Sequence, residues 1–149
     1  MFALNRMSLD RVDPDTGVAR SVWSGRGALA FLAAPLRDDE ALVYHAHAGG
    51  ASLFALDAGT GATRTLLADM EPMARDFSYD AVRDEVSFVR ASPRHDGSWE
   101  IVTLAAHGDV TPRVRWRATS DHLMPHALRG GAMVFSMPGD RGLALLDAW

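Results

Sequence analysis

Of all the residues in this chain, the six histidines are best suited to chemistry: His45, His47, His95, His107, His122 and His126. His45 and His47 stand two apart. In an extended strand such residues point to the same side, so one face offers two imidazoles to a divalent cation. Two ligands do not complete a site. His122 and His126, with Asp121 beside them, follow one repeat or more later, and a fold that gathers strand ends around an axis brings such positions together. His45, His47, His122 and His126 are therefore the candidate metal ligands, with manganese, zinc or calcium as candidate ions. The competing reading makes them ordinary polar residues at strand ends and requires no cofactor.

Other chemistries are narrowed by what the sequence contains. It has no cysteine, which excludes disulfides, thiolate metal sites and a cysteine nucleophile, and no G-x-S-x-G elbow of a serine hydrolase. Ser24-Gly25-Arg26-Gly27 and Ala48-Gly49-Gly50-Ala51 lack the spacing of a phosphate loop and precede no helix, so both read as hairpin turns. The acidic groups Asp13/Asp15, Asp38-Asp39-Glu40 and Asp84-Glu85 recur in turns, which suits solvated turn residues better than an acid–base pair. The oxygen spacing of Asp13–Gly17 also suits calcium. Arg113, Arg115 and Arg117 alternate with Val114 and Trp116 and are expected on one face of a charged edge strand, a reading preferred over an anion site. Trp99 and Trp116 bracket one predicted hairpin and are assigned to packing between repeats.

The 149 residues are 48% hydrophobic and 23% charged, enough to bury a core. A net charge of −4 with no clustered basic stripe argues against nucleic acid. Residues 1–7 lack the basic-then-apolar order of a signal peptide, and no run approaches the ~18 apolar residues of a membrane span, so no membrane partner is expected and the chain as written reads as cytoplasmic.

The elements that must position these residues follow from a repeat. Asp13-Pro14-Asp15-Thr16-Gly17-Val18-Ala19-Arg20 and Asp57-Ala58-Gly59-Thr60-Gly61-Ala62-Thr63-Arg64 both read D-x-x-T-G-x-x-R, with a degenerate copy at Leu104–Asp109 and the Leu-Asp pair again at Leu146-Asp147. In step with it, Asp39-Glu40 before Ala41–Tyr44 matches Asp84-Glu85 before Val86–Val89, and Gly130-Gly131 replaces the acidic pair in a third copy. The period is about 45 residues. Aspartate capping a turn and glycine supplying positive φ make D-x-x-T-G a hairpin signal. Strands are expected at 29–33, 41–47, 52–57, 62–68, 74–79, 86–90, 99–104, 110–116, 123–127, 132–136 and 143–147, with little or no helix. Four short strands per unit predict an all-β chain of β-propeller-type blades, each a four-stranded antiparallel sheet, although spacing alone also admits a β-sandwich. The expected organisation is one repeat domain over 1–149, with units at about 1–25 (partial), 26–70, 71–117 and 118–149 (partial).

The strand, D-x-x-T-G turn, strand order over Leu53–Leu67, and the run Arg75-Asp76-Phe77-Ser78-Tyr79-Asp80 near an F-S-P-D-G turn, resemble the TolB-like and WD-repeat-like propellers of bacteria. The Trp-Asp dipeptide of true WD repeats is absent, as are the proline and glycine of the turn at Ser78–Ala81. The resemblance implies a ring of four to eight blades, of which this chain supplies about three. Either it is part of a longer propeller or copies assemble into a ring. The leading expectation is a non-enzymatic binding or scaffold module for protein–protein interaction, using loops at one end of the blades or self-association through exposed blade faces. The alternatives are a metal-assisted propeller enzyme of lyase or lactonase type, whose sites the Asp121–His126 run faintly resembles, and a sensor domain of a larger protein.

Overall fold

The computed structural model describes residues 5–119, 123, 125–128, 130–136 and 142–146, and no helix occurs among them. They fall into two compact units, Met1–Pro72 and Met73–Trp149. In the first, β1 (Asn5–Val12) and β2 (Ala19–Gly27) form a two-stranded sheet. Strands β3 (Leu29–Pro35), β4 (Glu40–His47), β5 (Gly50–Asp57) and β6 (Thr63–Met70) form a four-stranded antiparallel meander. In the second unit, β7 (Ala74–Asp80), β8 (Glu85–Ala91), β9 (Trp99–Ala105) and β10 (Arg113–Ala118) repeat that meander. Strands β11 (His126–Ala127), β12 (Met133–Ser136) and β13 (Leu143–Leu146) then form three strands of another. The architecture is that of β-propeller blades.

The repeated turns owe their shape to the same bonds. Asp57 Oδ1 accepts the amides of Gly59 and Thr60, both at 2.8 Å, and Asp13 Oδ1 accepts those of Asp15 and Thr16, both at 2.9 Å. The amide of Gly61 donates to the Asp57 carbonyl and that of Gly17 to the Asp13 carbonyl, with both glycines in the left-handed region. The Asp-Glu pair also repeats its geometry. Asp39 and Asp84 take φ of 61° and 56°, and their carbonyls accept the amides of Ala58 and Ala106.

The two complete blades bury both faces of their central strands, which is why these strands read as apolar runs rather than alternations. Leu42, Val43 and Leu53 are inaccessible in one blade, and Val86, Phe88, Ile101, Val102 and Leu104 in the other. Burying Phe88 alone is worth about 1.5–3 kcal/mol relative to exposing it. Sheets also pack face to face within each unit. Leu9, Val22 and Trp23 of the two-stranded sheet cover Val43, Phe54 and Leu56, while Val89 and Ile101 meet Leu123, Met133 and Phe135.

Three local expectations are corrected. Ser24–Gly27 is not a turn but the end of β2, paired with Asn5–Ser8. Its glycines serve close packing, since a Cβ on Gly25 would stand 2.7 Å from the Trp23 ring and one on Gly27 would overlap the Ala46 carbonyl. The strand expected at 110–116 begins at Arg113, because Asp109 Oδ1 captures the Thr111 amide (3.1 Å) and hydroxyl (2.6 Å) and Pro112 has no N–H to donate. For the same reason Pro125 delays the strand expected at 123–127 until His126. The Ala48–Ala51 turn is as expected, joining β4 to β5.

Candidate functional site

Strand β4 brings His45 and His47 onto one face, with ring centroids 5.3 Å apart. Both are held by local bonds. His45 Nε2 donates to the Arg26 carbonyl at 3.1 Å while its ring meets Trp23 edge-on at 5.0 Å. Burial lowers the His45 pKa, outweighing the bond to Arg26, and the neighbouring His47 lowers it further. His47 Nδ1 accepts the Gly49 amide at 3.2 Å, so Nε2 carries the proton and donates to Ser52 Oγ at 2.8 Å. A cation on this pair would have to displace those bonds. His126 is exposed on β11 in the other unit, opposite Val134, and His122 lies outside the described residues. Among the described residues no group of three or more His, Cys, Asp or Glu stands close enough to hold a metal ion. His107, outside the candidate set, donates from Nδ1 to Asp84 at 2.9 Å, and Tyr79 donates to the same carboxylate at 2.8 Å.

The larger concentration of charge lies around β10. The expected single face of Arg113, Arg115 and Arg117 is corrected: a bulge between Val114 and Trp116 takes Arg115 out of the register with β9 and splits the three. Arg113 sits opposite Thr103 and bonds Glu85, whereas Arg117 sits opposite Glu100 and bonds that residue. Arg115 reaches the Gly131 carbonyl at 3.5 Å. Together Arg83, Arg113 and Arg115, with Glu85 and Val114, line a cavity of about 290 Å³. Arg83 also extends its guanidinium to the Gly130 carbonyl at 3.3 Å. Gly131 makes this approach possible, since any Cβ there would overlap the Arg83 side chain. The nearby Asp80 directs Oδ2 to the Gly131 amide at 2.6 Å and Oδ1 to the Val82 amide at 2.9 Å. Burial lowers the pKa of Arg115, and Arg83 and Arg113 lower it further against the raising effect of Glu85.

On the other side of the bulge, Glu100 is 1% exposed. Oε2 accepts Arg90 Nε and Nη2 at 3.1 and 3.0 Å, and Oε1 accepts Arg117 Nε and Nη2 at 3.0 and 2.5 Å, with Ser92 Oγ at 3.3 Å. Trp99, read as a packing residue, lies against the core of the second unit and carries Arg75 over its ring at 5.2 Å. Trp116 stands 5.5 Å from Phe135, centroid to centroid, and retains 38% exposure.

Sequence reading found Arg113 and Arg115 but neither the bulge nor Arg83. The available signal was a position-by-position comparison of the repeat copies. Arg83 precedes the Asp-Glu pair where the other blade has Asp38, and Arg115 occupies the bulge position that Leu66 fills between Thr65 and Leu67.

No family model and no curated protein matches the chain in sequence. In structure it is similar to TolB from Acinetobacter baumannii, with a TM-score of 0.71 at 14% identity over 93% of this chain and 34% of that one. The fold is thus that of a TolB-like β-propeller, and the chain spans about a third of the length of that structure.

Proposed function

We propose that this chain is a non-enzymatic binding module of propeller type that engages a protein partner. The supporting observation is the exposure of β10, the end strand of its sheet, where Val114 and Trp116, on opposite faces across the bulge, are 43% and 38% exposed beside three arginines. Tryptophan and arginine are the residues most enriched at the energetic centres of interfaces, and an end strand also offers backbone groups to a partner. The contact proposed is thus the end strand of a blade rather than loops at one end. The test is site-specific photo-crosslinking in the source cells from position 114, with Ala62, in a turn of the first unit, as control. A discrete partner captured from 114, not from 62, and lost with Trp116→Glu is the expected result. Equal capture from both positions, or capture insensitive to Trp116→Glu, refutes it.

The second reading, a metal-assisted enzyme, draws on the pairing of the His45 and His47 rings, with His122 and His126 as further ligands. Metal content after purification separates the two. Stoichiometric manganese, zinc or calcium that disappears in His126→Ala favours the enzyme, and metal-free protein of unchanged stability favours the binding module.

A further inference from the structure

The two complete blades provide an internal comparison, and they differ in charge at equivalent positions. In the blade of β3–β6, Glu40 receives Arg64 at 2.8 Å. In the blade of β7–β10, the equivalent Glu85 receives the equivalent Arg113, but Arg83 stands in the place of Asp38 and Arg115 in the place of Leu66. Leu66 is 3% exposed, so the bulge aims its side chain inward and an apolar residue satisfies that position. Putting a guanidinium there costs desolvation that the fold itself does not demand. The same site gains a second cation from Arg83, 3.7 Å from the Glu85 carboxylate, and the neighbouring turn gives up its side chain at Gly131 to admit it.

We propose that this cavity, lined by Arg83, Arg113 and Arg115, binds a phosphate-class dianion, either free phosphate or the end of a phosphomonoester. Three of the five lining residues are arginines and one is a carboxylate, Glu85, with the Asp80 carboxylate bonded to the neighbouring Gly131 amide. A phosphate group, which carries about 1.5 to 2 negative charges near neutral pH, suits a lining richer in guanidinium than in carboxylate. Arginine forks suit its oxygens in geometry as well as in charge. A volume of about 290 Å³ holds the group and part of what it is attached to, against the Val114 wall. The reading goes beyond the proposed protein contact; the two share Arg113, Val114 and Arg115, but its test uses small anions and needs no protein partner.

The test titrates the whole chain with inorganic phosphate and with phenyl phosphate at constant ionic strength, followed by calorimetry and by arginine Nε NMR resonances. Saturable binding of either probe, with the Nε signals of Arg83 and Arg115 shifting, is expected. Tighter binding of phenyl phosphate assigns the site to a monoester, and equal binding to free phosphate. Arg115→Gln should weaken binding about tenfold or more, the worth of one charged hydrogen bond, and Glu85→Gln should tighten it. Should Arg115→Gln fail to fold, Arg113→Gln replaces it, since 63% of that side chain is already in water. Binding that never saturates, or that is unchanged in both the arginine variant and Glu85→Gln, overturns the proposal.

Discussion

Replacing Glu100 with alanine strands two guanidiniums. The carboxylate is 1% exposed and receives four N–H donors from Arg90 and Arg117, whose side chains are 19% and 36% exposed. Removing one partner of a fully buried ion pair costs about 3–5 kcal/mol, because the remaining charge stays desolvated. Here water reaches both arginines in part, which reduces the expected loss to about 2–4 kcal/mol. In a chain of this size each kcal/mol moves Tm by roughly 2–4 °C, so Glu100→Ala should melt about 4–16 °C lower by calorimetry. The pH dependence gives a second handle. Burial pushes the Glu100 carboxyl upward, but the bonds from Arg117 and Arg90 outweigh it and hold the pKa below the ordinary value of 4.5. A group depressed in the folded state contributes stability that is present above its unfolded pKa and is lost as pH falls through the folded one. The wild-type chain should therefore lose part of its stability below about pH 4.5, and Glu100→Gln should lack that part of the decline. A Glu100→Ala chain that melts with the parent, or an acid limb unchanged in Glu100→Gln, would refute the assignment.

The paired turns allow a matched comparison. Gly17 and Gly61 share positive φ, but a Cβ on Gly17 meets nothing within 4 Å while one on Gly61 stands 2.6 Å from the Val22 carbonyl. Gly17→Ala should cost only the conformational strain, roughly 1–2 kcal/mol, and Gly61→Ala clearly more, measured by urea denaturation. Phe88→Ala should destabilise the chain by about 3–5 kcal/mol in the same assay, since the side chain is wholly buried and cannot be replaced by water. Zinc should produce no saturable rise in Tm, because both ring nitrogens of His47 are already bonded. A rise that disappears in His45→Gln would restore the metal reading. Asp57→Asn should shift the acid unfolding of the first unit, since the bonds from the Thr60 and Gly59 amides hold the Asp57 pKa low and their contribution fades as pH falls through that value.

What the sequence reveals here is set by how local the physics is. The D-x-x-T-G turns were legible because their bonds close within a few residues, and the apolar runs because a strand buried on both faces has no polar side to show. The bounds failed where a side chain or a proline competed with the ladder, as at Asp109 and Pro125, and Ser24–Gly27 misled because glycine serves close packing as readily as a turn. The site was harder. Arg83 and Arg115 meet only because a bulge adds one residue to β10 and a glycine stands at 131, and neither is visible in the alternation of Arg113, Arg115 and Arg117.

A repeat protein nevertheless carries its own control. Features shared by the two complete blades are explained by what such a blade needs: an Asp-Glu pair at the turn and a glutamate that meets an arginine on the end strand. The equivalence of Glu40–Arg64 and Glu85–Arg113 belongs to that class and calls for no ligand. The exchange of Asp38 for Arg83 and of Leu66 for Arg115 does not, since each adds a cation at a position where the sister blade has none. The competing reading makes the two arginines structural pins, Arg83 to the Gly130 carbonyl and the Glu85 carboxylate and Arg115 to the Gly131 carbonyl, where a neutral donor such as glutamine at 115 would serve at a smaller desolvation cost. The pin reading therefore predicts that Arg115→Gln keeps its stability and that Glu85→Gln gains no affinity for phosphate. The anion reading predicts the reverse for affinity, so the same two variants decide between them.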